Sequence, residues 1–209
     1  PGPSLRTQVS QGVRWGVIAS VATQVGRLGF VAVLMRLLGP ENFGIVGQAS
    51  VYIAITYIFL HLGTAASIIQ RPHLDREEIG SAWWINVALG TLLAGATLVA
   101  APMLAGFFRT EELTAVLRVL SVCCVLKATA VVPTALLYRN MRFRSLGAAE
   151  ITSTLVGGAV AVAAAANGAG YWSLVVQTLV MDAVYLAALV WLGGPPETAW
   201  SADAAPRAV

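Results

Sequence analysis

Charge is what this sequence has least of: 11% of its 209 residues are Asp, Glu, Lys or Arg, against about a quarter in a typical soluble domain. That scarcity nearly excludes a soluble globular protein. Histidine is reduced to His61 and His73, and Lys127 is the sole lysine among 13 basic residues. The two cysteines, Cys123 and Cys124, are adjacent inside an apolar stretch. Neighbours of this kind build neither a disulfide framework nor a metal-ligand spacing, and they carry no information on redox compartment. The alternating ten-residue segments of an outer-membrane barrel are missing, and with no strands there is no glycine loop to cradle phosphate after one. The chain begins at Pro1, without methionine and without a basic, apolar, small-residue signal pattern; it is expected to be a piece of something longer.

What the chain has instead is apolar sequence, with 57% hydrophobic residues and a mean hydropathy of +0.76. It is gathered into stretches of roughly 20 residues or more, the length that carries a helix across about 30 Å of hydrocarbon. An all-α, polytopic membrane protein follows, with six spans expected at about 15–38, 43–62, 79–106, 113–137, 146–166 and 171–192. Gly39-Pro40 ends the first, and the polar run from Arg71 to Glu78 precedes the third. Arg109-Thr110-Glu111-Glu112 separates the third from the fourth, and the basic loop Arg139 to Arg144 precedes the fifth. The uncharged stretch from Ile151 to Met181 is too long for one crossing, and Asn167-Gly168-Ala169-Gly170 supplies a turn that divides it. The domain reading is a cytoplasmic segment over 1–10, a six-helix lobe over 11–192 and a flexible cytoplasmic tail over 193–209.

Assigning alternate loops to two sides gathers Arg6, Arg14, Arg71, Arg76, Arg139, Arg142, Arg144 and Arg207 against Arg36 and Arg109. The excess predicts both termini in the cytoplasm. Trp15, Tyr138, Tyr171, Trp172 and Trp191 fall near span ends, where amphipathic rings favour the headgroup region. The basic loop Arg139–Arg144 fits the same rule and anionic headgroups, so no nucleic-acid partner is expected. With only His61 and His73 in the chain, no histidine pair for a metal or for intramembrane hydrolysis is expected. No cofactor is expected.

Inside lipid, polar residues carry the information, because a charge at a helix centre costs about 2.5–3.5 kcal/mol on the insertion scale. Ser20, Thr23, Gln24 and Arg27 follow i, i+3, i+4, i+7 and share one helical face. Two readings stand for this stripe: the wall of a hydrated cavity with Arg27 gripping an anion, or interhelical glue with Arg27 paired to a carboxylate. Glu150, Ser153, Thr154, Gly157 and Gly158 make a second stripe, polar and then small. There Glu150 either couples to an ion or neutralises an arginine of its own loop. Asp182, with Thr178 and Tyr185, lies deeper, as a coupling carboxylate or as the partner of Arg27 or Lys127. Arg118 and Lys127 are nine residues apart and point to opposite faces of an ideal helix. Lys127 is the better cavity candidate, and Arg118 is close enough to the span end to snorkel.

Specific strings then bring a family into view. Leu34-Met35-Arg36-Leu37-Leu38-Gly39-Pro40-Glu41-Asn42-Phe43-Gly44 resembles the end of the first span in Wzx-type polysaccharide flippases of the multidrug/oligosaccharidyl-lipid/polysaccharide exporter superfamily. His61-Leu62-Gly63, Ile68-Ile69-Gln70-Arg71 and Ser81-Ala82-Trp83-Trp84-Ile85-Asn86 are similar to that family's loop after the second span and the start of its third. Leu117-Arg118-Val119-Leu120 with Pro133 resembles its fourth. The string Leu137-Tyr138-Arg139-Asn140-Met141-Arg142-Phe143-Arg144 through Glu150-Ile151 resembles the subgroup typified by the colanic acid exporter. The likeness runs from about Gln11 to Leu192 and corresponds to the amino-terminal half.

The resemblance implies one lobe of a two-lobe, twelve-helix or larger exporter in the bacterial inner membrane. Its implied activity is flipping of undecaprenyl-pyrophosphate-linked oligosaccharides by alternating access, for capsule, exopolysaccharide or lipopolysaccharide assembly. It makes Arg27 the nearest equivalent of a cavity arginine and Arg118 the match of a recurrent one. Lys127 departs from the pattern, which more often has a neutral polar residue there. Membrane lipids, a missing second lobe or a second copy, and a polysaccharide polymerase are the implied partners. A drug or cation antiporter of the same superfamily and a non-transporting scaffold are the alternatives; none of these readings is an enzyme.

Overall fold

The computed structural model describes residues 5–61 and 76–193, with side chains over 20–58, 60 and 78–192. The described residues form five helices: α1 Leu5–His61, α2 Arg76–Phe108, α3 Glu112–Arg139, α4 Phe143–Ala166 and α5 Trp172–Gly193. Each contains a stretch long and apolar enough to cross a membrane. The described residues are all-helical, and the chain is multi-pass. The expected amino-terminal segment from its fifth residue belongs to α1, whereas residues 1–4, the loop residues 62–75 with Arg71 and His73, and the tail beyond 193 lie outside the described residues.

The stretches expected as two separate spans, 15–38 and 43–62, form one 57-residue element with a single non-helical residue, Gly39, at φ 73°, ψ 168°. That backbone region is open essentially to glycine alone. Pro40 follows it, pre-set for a first helical position and lacking the N–H a continuing helix would need. The element is therefore two arms meeting at a break. Where the sequence suggests a short loop over 39–42, the helix resumes at once. The amino-terminal boundary moves furthest, from about 15 to Leu5, and the others move by three residues or fewer, with α2 taking in Arg76, Glu77 and Glu78. Its 33 residues extend about 50 Å, so α2 projects past the hydrocarbon or tilts within it.

Tight turns join the later helices. Between α2 and α3, Arg109 adopts φ 54° and Thr110 N–H donates to the Ala105 carbonyl at 3.1 Å. Met141 at φ 52° closes α3, with Arg142 N–H donating to Leu137 O at 2.9 Å. Gly168 (φ 79°) and Gly170 (φ 56°) make the turn between α4 and α5. Both side-chain-bearing residues take a left-handed helix-terminating position that more often falls to glycine.

α3 is the spine. It has the largest buried share of the five helices, and Leu113, Val116, Leu117, Leu120, Cys123 and Cys124 join α1, α2, α4 and α5 in one core. Without a hydrophobic difference between helix and lipid, such association rests on close packing, and the sequence supplies small residues where helices touch. A side chain at Gly90 of α2 would run into Ala128 and the Cys124 carbonyl of α3. On α4, Gly157 receives Met181 of α5 and Gly158 receives the ring of Phe30 from α1. Two ends are distinguishable. Asn42 approaches Gly170 at one, while Ile79 packs on Val132 and Ala135, and Leu146 beside Leu137 and Leu189, at the other. Outward faces carry Val25, Leu28, Val99, Met103, Phe107 and Trp191, as a lipid or protein surround requires.

Candidate functional site

The first arm of α1 meets α4 through Thr23, Gly26, Phe30 and Leu34. Thr23 and Leu34 are buried, Gly26 faces Thr154, and Phe30 sits on Gly158. At 100° per residue and measured from Thr23, Arg27 lies about 40° round the helix, Ser20 about 60° and Gln24 about 100°. The polar stripe thus runs along one border of the contact. Thr23 enters it, while Ser20, Gln24 and Arg27 are exposed. Arg27 forms no ion pair among the described residues. Thr23 Oγ1 and Thr154 Oγ1 are buried at this contact without a hydrogen-bond partner among the described residues. The sequence offers no signal for that pairing, because i, i+3, i+4 spacing reports a face and not the helix it meets.

A second polar contact joins α3 to α5. Lys127 Nζ stands 2.8 Å from Asp182 Oδ1, with side-chain exposures of 33% and 10%. Lys127 is 15 residues from the start of α3 and 12 from its end, and Asp182 is ten from the start of α5. At 1.5 Å per residue each is about 15 Å or more from either helix end, close to mid-depth. Of the partners the sequence leaves open for Asp182, the fold brings Lys127. Tyr57, from the second arm of α1, places its ring 4.7 Å from the same ammonium, a cation–π distance. The Tyr57 hydroxyl and the Cys123 thiol both adjoin the Asp182 carboxylate. Asp182 Oδ2 accepts no hydrogen bond among the described residues.

Tyr57 and Cys123 are the members that sequence reasoning misses. Tyr57 reads as a neighbour of His61 near a span end, and only the break at Gly39, which turns the second arm back along α3, brings it to Lys127. Cys123 has a findable signal: it is one helical turn before Lys127, at i and i+4.

Arg118 is exposed and away from this centre, without an ion pair among the described residues. Glu150 is half-buried beside Tyr138 and Tyr185 and likewise forms no ion pair among the described residues. Tyr185 and Thr134 hydroxyls lie 3.3 Å apart across α5 and α3. Among the described residues no cluster of three His, Cys, Asp or Glu could hold a metal ion. A cavity of about 430 Å³ opens at the α2–α3 turn, lined by Pro102, Arg109, Glu111 and Thr114 among others. It is remote from Lys127 and Asp182.

The arrangement offers a shielded carboxylate, a partly accessible ammonium and a separate exposed guanidinium on an all-helical frame. Such groups can bind an anion or a proton within a membrane.

Known proteins place this frame. The chain is 30% identical over 181 residues to the succinoglycan biosynthesis transport protein ExoT of Rhizobium meliloti, covering 87% of this chain and 37% of that protein. It is 27% identical to the lipopolysaccharide biosynthesis protein WzxC of Escherichia coli, over 74% of this chain and 31% of the relative. Against the teichuronic acid biosynthesis protein TuaB of Bacillus subtilis the identity is 25%, over 74% and 32%. The chain therefore spans about a third of the length of these relatives. No solved structure matches it. The family model described as polysaccharide biosynthesis protein matches residues 33–203, most of the chain. The chain belongs to that polysaccharide biosynthesis protein family.

Proposed function

We propose that this chain is the amino-terminal lobe of a transporter, not an enzyme, that carries undecaprenyl-diphosphate-linked oligosaccharides across the bacterial inner membrane for exopolysaccharide or lipopolysaccharide assembly. The observation that carries the reading is likeness to a succinoglycan transport protein along 87% of the chain, joined to cationic groups on a membrane lobe. In this reading each arm of α1 crosses the membrane, giving six spans. The second lobe comes from a further segment of the same polypeptide or from a second copy, and the two enclose the path. The end with Arg139, Arg142 and Arg144 faces the cytoplasm, as do both termini, by the positive-inside rule. A polysaccharide polymerase receives the product.

Arg27 and Lys127 act as anion contacts for the diphosphate, with Ser20 and Gln24 as the hydrated wall beside Arg27; Thr23, expected in that wall, is instead buried against α4. Guanidinium matches paired phosphate oxygens bidentately and ammonium acts as a point charge. Arg118 is assigned a structural, interfacial place, and Asp182 and Glu150 are the candidates for ion coupling. The test is lipid-linked oligosaccharide appearing on the outer leaflet of spheroplasts that depend on the full transporter. Loss of that signal in Arg27→Ala or Lys127→Gln, with the protein still in the membrane, is expected. Export undiminished by both changes overturns the site, and precursor export undiminished by deletion of the transporter overturns the function.

A further inference from the structure

We infer that Asp182 is a built-in competitor for Lys127, holding the ammonium until the diphosphate of a lipid-linked substrate takes the carboxylate's place. The inference rests on the proposed diphosphate contact at Lys127 and adds a positioning residue that sets how tightly that contact binds. It starts from an asymmetry. Lys127 is one-third exposed and Asp182 one-tenth, so an anion arriving from the open side reaches the ammonium and not the carboxylate. A charge this deep costs too much against hydrocarbon for its open side to face lipid, so protein or water lies there.

The mobility is one-sided as well. Met181, next to Asp182, is packed on Gly157, where the Gln177 carbonyl lies 3.2 Å from a Cβ position. α5 is thereby held against α4, and a short aspartate side chain has little reach of its own. Lys127 has a four-carbon stem and swings, with the Tyr57 ring as a second resting place. The groups facing Asp182 are Lys127, Cys123 and Cys124 from α3 and Tyr57 from α1, while α4 presents Gly157 at this level. Lys127 is the one cation among them. When a diphosphate withdraws it, Asp182 is left with an oxygen that already lacks a donor among the described residues, and the carboxylate takes a proton from the aqueous side.

Diphosphate and proton therefore favour each other's binding, since linkage is reciprocal. Exchange of one for the other needs the opposite sign. The pair lowers affinity so that the substrate can leave, and it does not by itself drive antiport.

The probe is geranylgeranyl-diphospho-N-acetylglucosamine, a diphosphate diester that does not titrate between pH 5 and 8, added to the 209-residue chain in phosphatidylcholine nanodiscs. Calorimetry in buffers of different ionisation enthalpy reads affinity and proton uptake together. Wild type is expected to bind more tightly as pH falls, with uptake of part of a proton. Asp182→Asn is expected to bind about tenfold tighter at pH 8, in line with close charge pairs, with no uptake and a flat pH profile; Asp182→Glu keeps the wild-type profile. If Lys127→Gln abolishes binding while Asp182→Asn matches wild type in affinity and profile, the competition is refuted and the Lys127 contact stands. Unchanged binding in Lys127→Gln, or none in wild type, overturns the contact and the competition together. Should Asp182→Asn not fold, proton uptake by wild type decides, and its absence refutes the competition.

Discussion

Removing the two partners of the mid-depth ion pair one at a time is expected to have unequal consequences, and the inequality follows from their surroundings. Lys127→Gln leaves Asp182 at one-tenth exposure with a phenol and a thiol for company. Breaking a buried pair in this way destabilises by about 3–5 kcal/mol. A loss of about 3 kcal/mol or more is therefore expected. Asp182→Asn leaves an ammonium that is one-third exposed and rests on the Tyr57 ring, so it is expected to lose about 1 kcal/mol. The double variant should recover most of the larger loss, since no uncompensated charge remains. Denaturation in mixed micelles, followed by helical circular dichroism at neutral pH, measures all four proteins. Equal losses for the two single variants, or a double variant no more stable than Lys127→Gln, would refute the reasoning.

Four further outcomes are expected. Gly90→Ala should destabilise by about 1–3 kcal/mol, and by more than Gly157→Ala, because the first meets Ala128 and a backbone carbonyl of α3 and the second mainly the flexible side chain of Met181; thermal unfolding of the pair checks this. Gly158→Ala should be rescued in part by Phe30→Leu, which vacates the space the new methyl group needs, in the same assay. Gly39→Ala places a side chain at φ 73°, ψ 168° and should lose about 1–3 kcal/mol, read as a lower melting temperature. Arg27→Ala should leave the melting temperature unchanged, since that side chain is exposed and forms no ion pair among the described residues, while lowering export.

The frame was legible because lipid imposes one rule on every span: apolar sequence of sufficient length, closed at polar turns. Asn167-Gly168-Ala169-Gly170 announced a turn in an otherwise unbroken apolar stretch because left-handed positions fall to glycine. Arg109 and Met141 gave no such notice, although they occupy the same backbone region. At Gly39 the sequence suggested a loop, and the structure needed only one residue, since a glycine in that conformation followed by proline redirects a helix without a connector. The site was legible in its members more than in its pairings. Depth singles out Arg27, Lys127 and Asp182, but which cation meets the carboxylate depends on how the helices are rotated, and that rotation is set by contacts such as Gly157 with Met181. Tyr57 was hidden for the same reason, its place being fixed by a reversal of direction 18 residues earlier.

The order in which these partners are made has a bearing on synthesis. Phe30 needs Gly158 to receive its ring, and the ribosome makes Gly158 128 residues later, about 6–25 s at ordinary elongation rates. For that interval the first arm of α1 is in the membrane with its packing face, including the Thr23 hydroxyl, open to whatever surrounds the insertion machinery. Lys127 likewise precedes Asp182 by 55 residues, about 3–11 s, and enters the bilayer before its counter-ion exists. Tyr57 has been made by then. The ring 4.7 Å from the ammonium in the finished fold is thus the first of its two partners to be available, and a slower or faster ribosome changes how long it stands in alone.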